Sequence, residues 1–272
     1  MPTTTLARLV KIAAAAADPV RGAGSGLVVL LYHRVGGRST SAVDLPLGLF
    51  TEQMEQLAAT GGVVSLDDAL TLLGSPTAPE GPPRVVITFD DGTGDFPDAA
   101  VPVLERLRLP ATLYLATDPI ETGRPFAPDA ATLSWSALAD TMASGLVIVG
   151  SHTHTHVLLD RLDAGLVADD LDRSIALIED RLGVTPRHFA YPKALSGSPR
   201  AAAAVRARFS SAAVAGTRPN RYGATDPYHL FRSPIQTADG MRWFRRKLEG
   251  GMALEDDLRR MVNRRRYAGA SH

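Results

Sequence analysis

Short apolar runs recur along the chain, and stretches with helical spacing lie between them. Leu27 to Tyr32, Val85 to Phe89, Ala111 to Ala116, Leu146 to Gly150, His188 to Tyr191, Ser210 to Ala215 and Leu230 to Ile235 predict buried strands, with Val63 to Ser65 as a shorter one. Runs with so little polar interruption suit strands covered on both faces, as in a parallel sheet. Helices are predicted from about Leu47 to Thr60, Leu66 to Leu73, Asp98 to Arg108, Ser134 to Ser144, Asp163 to Leu182 and Pro199 to Arg208. In the longest of these, Val167, Leu171, Ile175, Ile178 and Leu182 share one face, and Gly183 stops it. Strands alternating with helices mean an α/β protein, and about seven or eight strands make a (β/α) barrel the leading architecture.

The ends of the chain differ from the middle. Met1 to Ala17 carries Arg8 and Lys11 ahead of an alanine-rich run too short and too weakly apolar for a secretory signal. Its spacing predicts a surface helix closed by Asp18-Pro19, followed by a Gly-rich link (Gly22, Gly24, Gly26). Two basic helices, about Gly240 to Leu248 and Leu254 to Arg265, end the chain, and Arg264 to Arg266 fit a solvated helix terminus. The expected organisation is a helix and link over 1–26, a barrel over 27–237 and a helical tail packed on it over 238–272. A cytoplasmic location is the expectation.

Composition narrows the function. With 29 Lys+Arg against 29 Asp+Glu in 272 residues, no net field draws the chain to nucleic acid. No cysteine is present, so thiolate metal sites and a cysteine nucleophile are excluded. No apolar run approaches the ~20 residues of a membrane span. The oligomeric state is left open.

The chemistry is concentrated at strand ends. His33 follows the first strand, Asp90-Asp91-Gly92 the second, and Ser151-His152-Thr153-His154-Thr155-His156 the fourth. In a (β/α) barrel these ends share one face, where ligands bind. Two adjacent carboxylates repel, so a cation or a shared proton must divide their roles. His152 and His156 share a face on a helical turn, whereas all three histidines would share one on an extended strand. Either arrangement chelates a metal with one carboxylate and leaves positions open for water and substrate. Capping of the next helix by Asp90 and Asp91, and a merely solvated histidine loop, are the bland alternatives.

Thr88-Phe89-Asp90-Asp91-Gly92 and Ser151 to His156 resemble the first two motifs of the NodB-homology polysaccharide deacetylases, carbohydrate esterase family four. Leu31-Tyr32-His33-Arg34-Val35 and His188-Phe189-Ala190-Tyr191-Pro192 resemble the branch with an N-terminal Tyr-His motif, as in poly-N-acetylglucosamine deacetylases. The resemblance implies a distorted (β/α) barrel and metal-dependent removal of acetyl groups from an N-acetylated sugar. It implies Asp91, His152 and His156 as ligands of one divalent metal, zinc first, with cobalt, nickel or manganese as alternatives. It implies Asp90 as general base and His33 as general acid, with Lys193 and Tyr191 at the oxyanion and substrate position. His188 is the next candidate for the acid.

Three departures stand out. Lys193-Ala194 replaces the family's Tyr-Gly pair, Ala190 stands where other members carry an arginine that orients the base, and the late Leu-plus-His motif is missing. The first two motivate one rival reading, a catalytically silent carbohydrate-binding homologue. Another is an Fe(II) oxygenase with a two-His-one-carboxylate triad, which needs no second carboxylate. Trp135 and Trp243 fit packing better than sugar stacking, and His229 and Arg187 fit structural or surface roles.

Overall fold

Seven of the predicted strands pair side by side into a closed, all-parallel barrel. The computed structural model describes residues 4–21 and 26–267. The chain runs α1 (Thr4–Arg21), β1 (Val28–Tyr32), β2 (Arg34–Val35), β3 (Asp44–Leu45), α2 (Leu47–Thr60), α3 (Leu66–Leu73), β4 (Val85–Phe89), α4 (Val101–Leu107), β5 (Ala111–Leu115), α5 (Thr117–Thr122), α6 (Trp135–Met142), β6 (Val147–Ser151), α7 (Ala164–Leu182), β7 (His188–Ala190), α8 (Pro199–Arg206), β8 (Ser211–Ala215), β9 (Leu230–Pro234), α9 (Gly240–Leu248) and α10 (Ala253–Tyr267). The barrel order is β1-β4-β5-β6-β7-β8-β9, with β1 closing on β9, while β2 and β3 form a separate two-stranded sheet. The eighth candidate, Val63 to Ser65, makes only an isolated parallel bridge, Val63 to Val85. It is too short to add a strand.

Alternation along the strands divides two environments. Val28, Leu30 and Tyr32 of β1, Ile87 and Phe89 of β4, and Leu113 and Leu115 of β5 pack under the helical layer. The intervening positions face the interior, where Val29, Val86, Tyr114, Ala190, Ala213 and Leu230 meet. Gly150 is required there, because a Cβ would lie 2.6 Å from the Tyr114 ring. Small residues leave the upper barrel room for one large side chain, the fully buried Arg232.

The ends of the chain meet. The N-terminal helix passes through Asp18 to Arg21 rather than closing at Asp18-Pro19, and it is not simply a surface helix. Lys11 is buried, with Nζ 2.6 Å from Asp239 Oδ1 and 2.5 Å from Glu255 Oε1. Lys247 Nζ donates to Asp239 Oδ2 at 2.8 Å and to the Pro234 carbonyl at 2.7 Å. Asp18 Oδ1 accepts the Met252 N–H at 2.8 Å. Burial opposes ionisation of Asp239, but Lys247 and Lys11 outweigh it and hold its carboxyl below the usual value. Trp243 is buried beside Ala14 and Met252, as a packing role predicts. Trp135 packs partly against the core and donates from Nε1 to Glu121 at 2.8 Å. The Gly-rich link at 22–25 and the side chains of Arg264 to Arg266 lie outside the described residues. No helix among the described residues is long and apolar enough to cross a membrane.

Candidate active site

The ends of β4 and β6 bring Asp91, His152 and His156 together, with one ligand atom from each lying within 4.8 Å of the others. Asp91 Oδ1 is 3.2 Å from His156 Nε2 and 3.6 Å from His152 Nε2. Ligands ~2.0–2.1 Å from a tetrahedral ion lie roughly 3.4 Å apart, and the two Asp91–histidine distances match that spacing, so the donor set suits one divalent cation. His152 Nδ1 lies 2.7 Å from the Ala190 carbonyl, which fixes Nδ1 as the protonated nitrogen and leaves the Nε2 lone pair for the metal. Burial lowers the His152 pKa to about 4 against the pull of Asp90, which keeps the ring neutral. Asp91 is held far below the usual carboxylate range: burial opposes this, but the His156 hydrogen bond and the neighbouring His33 prevail.

The histidine segment is neither a helical turn nor an extended strand. Thr153 and His156 have φ of 72° and 60°. These left-handed residues fold the loop so that His156 returns toward His152, with ring centroids 5.0 Å apart. His154 points elsewhere, its Nδ1 2.9 Å from Thr117 Oγ1. Asp170 of α7 pins the turn, with Oδ2 accepting the His154 N–H at 2.9 Å and Oδ1 the Thr155 N–H at 3.0 Å. Asp91 (φ 77°) and Lys193 (φ 56°) are also left-handed, so four of the six positive-φ non-glycine residues among the described residues flank this site. Such conformations are costly and persist where the surroundings enforce them.

Asp90 is turned into the barrel, away from Asp91. Its two oxygens accept from Arg232 Nη1 at 2.6 Å and Nη2 at 2.9 Å. Burial would raise the Asp90 pKa, but Arg232 and His152 hold it below its ordinary value. A buried arginine thus pairs with Asp90 from β9 and not from position 190. Its sequence signal was a lone cation, Phe231-Arg232-Ser233, inside a strand too buried to leave a charge unpaired.

His33 follows β1 and lies close enough to lower the pKa of both Asp90 and Asp91. Its Nδ1 is buried without a hydrogen-bond partner among the described residues. His188 cannot stand in for it. It begins β7, at the opposite end of the barrel, with Nδ1 2.9 Å from Ser211 Oγ and Nε2 3.4 Å from Asp67. The expected substrate role of Tyr191 also needs correction. Its ring is buried edge-on against Phe189, under the helical layer, so only its backbone borders the site. Lys193 is exposed at the rim. Arg187 pairs with Asp67 on the far face, and His229 packs edge-on against Phe231.

Comparison with known proteins agrees with this geometry. Residues 77–210 match the profile of the polysaccharide deacetylases, a span that includes both aspartates and all three histidines of the loop. His33 and Arg232 fall outside it. IcaB from Ammonifex degensii is 28% identical, with a TM-score of 0.69 over 83% of this chain and 98% of that one. The Streptococcus pyogenes deacetylase PplD, solved with acetate, is 19% identical, with a TM-score of 0.70 over 82% and 98%. A de-N-acetylase from Aggregatibacter actinomycetemcomitans is 21% identical, with a TM-score of 0.68 over 81% and 99%. The latter two share the fold. Comparison with curated protein sequences gives no match.

Proposed function

We propose that this chain, which belongs to the polysaccharide deacetylase family, removes N-acetyl groups from an N-acetylglucosamine-type poly- or oligosaccharide. Like the family, it is a hydrolase acting on carbon–nitrogen bonds other than peptide bonds. The observation that carries the finer reading is the division of labour between the adjacent carboxylates. Asp91 joins His152 and His156, while Asp90 is locked 2.6 and 2.9 Å from Arg232.

Asp91, His152 and His156 would hold the metal, zinc before cobalt, nickel or manganese. When bound, such a cation polarises the acetyl carbonyl and acidifies a water. Asp90 accepts the proton of the attacking water as its oxygen bonds to the acetyl carbon. Arg232 keeps that carboxylate ionised and fixes its direction. The Lys193 backbone N–H donates to the oxyanion, a role that its left-handed turn suits. His33 protonates the sugar nitrogen as the C–N bond breaks, releasing acetate and a free amine.

The test is acetate release from N-acetylglucosamine oligomers before chelation, after it, and after reloading with zinc. Release that needs metal and falls by ~10² or more in Asp90→Asn supports the reading. Acetate release by Asp90→Asn at the wild-type rate would remove Asp90 from the role of base, whereas an oxygenase-type centre would release no acetate and would consume dioxygen with Fe(II) in the wild type and in Asp90→Asn alike. Oligomer binding without acetate release under any metal favours the silent homologue.

A further inference from the structure

The substrate side of the site lacks the family's aromatic residue at position 193, yet a different ring stands beside the chelating group. Phe126 meets His156 edge to face, with centroids 5.7 Å apart and planes at 89°. Of the two histidines, His152 is buried and His156 is partly exposed, so Phe126 lies on the solvent-open side, where substrate enters. The ring itself is only half-buried. Part of the Phe126 side chain thus stays open beside the chelating group, where it can meet a ligand held there.

The backbone around Phe126 is held as firmly as a binding wall requires. Its N–H donates to the Ala130 carbonyl at 3.0 Å, and the Ala130 N–H donates back to Ala127 at 2.9 Å. Pro125 and Pro128 stiffen this turn. The loop is laced to the segment just beyond Asp91, with the Gly94 N–H donating to Ala131 at 2.8 Å and the Leu133 N–H to Gly92 at 3.1 Å. Arg34, next to His33, completes the fixture. Its Nη2 donates to the Asp129 carbonyl at 2.6 Å, and its Nη1 lies 3.3 Å from Asp129 Oδ1. The same guanidinium is 3.6 Å from Asp44 and 3.9 Å from Asp95, whose Oδ2 accepts the Val35 N–H at 2.5 Å. One nearly buried cation thus ties the segment bearing His33 to the turn bearing Phe126.

We propose that Phe126 is the apolar wall against which the acetylated sugar rests, and that Arg34 is the positioning residue that sets it relative to His33. The proposal rests on the deacetylase reading above, and it assigns to the 126–130 turn the specificity that an aromatic residue at position 193 would otherwise give. A rigid aromatic face recognises the C–H face of a pyranose and the acetyl methyl, and is indifferent to substrate charge.

The test combines steady-state kinetics on N-acetylglucosamine oligomers with calorimetric binding of the same oligomers to the metal-free full chain. Zinc stoichiometry is measured in parallel. For Phe126→Ala, kcat/KM should fall and the oligomer dissociation constant rise by about five- to tenfold, with one zinc still bound. Phe126→Trp should restore both. Arg34→Gln should raise KM in the same direction, and adding it to Phe126→Ala should cost little more. Unchanged oligomer affinity and kcat/KM in Phe126→Ala, with the wild type releasing acetate, overturns the proposal and leaves the deacetylase reading intact. Loss of zinc in Phe126→Ala, or no rescue by tryptophan, also overturns it, because the ring would then be supporting His156. A wild type that binds oligomers through Phe126 yet never releases acetate sinks the deacetylase reading alone.

Discussion

Arg232 reaches across the barrel interior from β9 and grips both oxygens of Asp90, at 2.6 and 2.9 Å. Neither partner is accessible to water to any useful extent. Removing one side leaves the other as an uncompensated buried charge. Arg232→Met should therefore destabilise the protein by roughly 3–5 kcal/mol in urea unfolding. The Arg232→Met/Asp90→Leu double variant should recover much of that loss without recovering any activity. Equal stability of wild type and Arg232→Met would mean that the pair carries no such load.

His33 is expected to act on the leaving amine. His33→Ala should keep one metal and lower kcat on N-acetylated oligomers by roughly 10²–10⁴. The loss should be much smaller on an activated aryl acetate, whose leaving group hardly needs a proton. His188→Ala is the control, since His188 begins β7 beside Ser211 and Asp67. Amide hydrolysis by His33→Ala at the wild-type rate would assign the acid elsewhere.

Asp170 never approaches the ligand atoms, yet it accepts two consecutive backbone N–H groups of the histidine loop. Asp170→Ala should free the left-handed turn at Thr153 and weaken zinc binding by roughly 10–100-fold, as loss of an outer support does at other metal centres. Competition with a chromophoric chelator measures this. Unaltered affinity would show that the loop holds its shape unaided.

Asp239 sits between two buried ammonium groups, and Lys247 and Lys11 keep its carboxyl below the ordinary value despite burial. A depressed folded pKa adds stability that is fully present above the unfolded value of about 3.9 and is lost as pH falls through the folded one. Asp239→Asn should cost about 3 kcal/mol at neutral pH. Its deficit relative to wild type should shrink only as pH drops below the usual carboxylate range. Urea midpoints across pH 2–7 test the sign, and a deficit that grows on acidification contradicts it.

Much of this site is legible before any coordinates, and the reason is topological. Once the apolar runs are read as parallel strands, His33, Asp90, Asp91, His152 and His156 share a rim whatever the detailed geometry. What cannot be read is anything set by side-chain direction across the barrel. The strand spacing gives no sign that Arg232 on β9 reaches Asp90 on β4. Tyr191 looks like a site residue by its place in the motif, but strand alternation turns its ring into the helical layer. The return of His156 toward His152 depends on left-handed backbone at two non-glycine residues, which propensity argues against. Lys11 shows the same limit at larger scale, because its two acidic partners lie 228 and 244 residues away.

That separation has a kinetic consequence. Lys11 finds its charge partners only after the 228 and 244 residues that separate them have been synthesised. At ~5–20 residues per second, α1 spends on the order of ten seconds or more without the carboxylates that neutralise Lys11. Docking of α1 is thus expected as a late step that follows synthesis of the barrel, with α1 held near its site by the short link to β1, which pairs with β9. Until it happens, Asp239 and Lys247 lack one side of their enclosure, and the helical face that buries Trp243 is open to other chains.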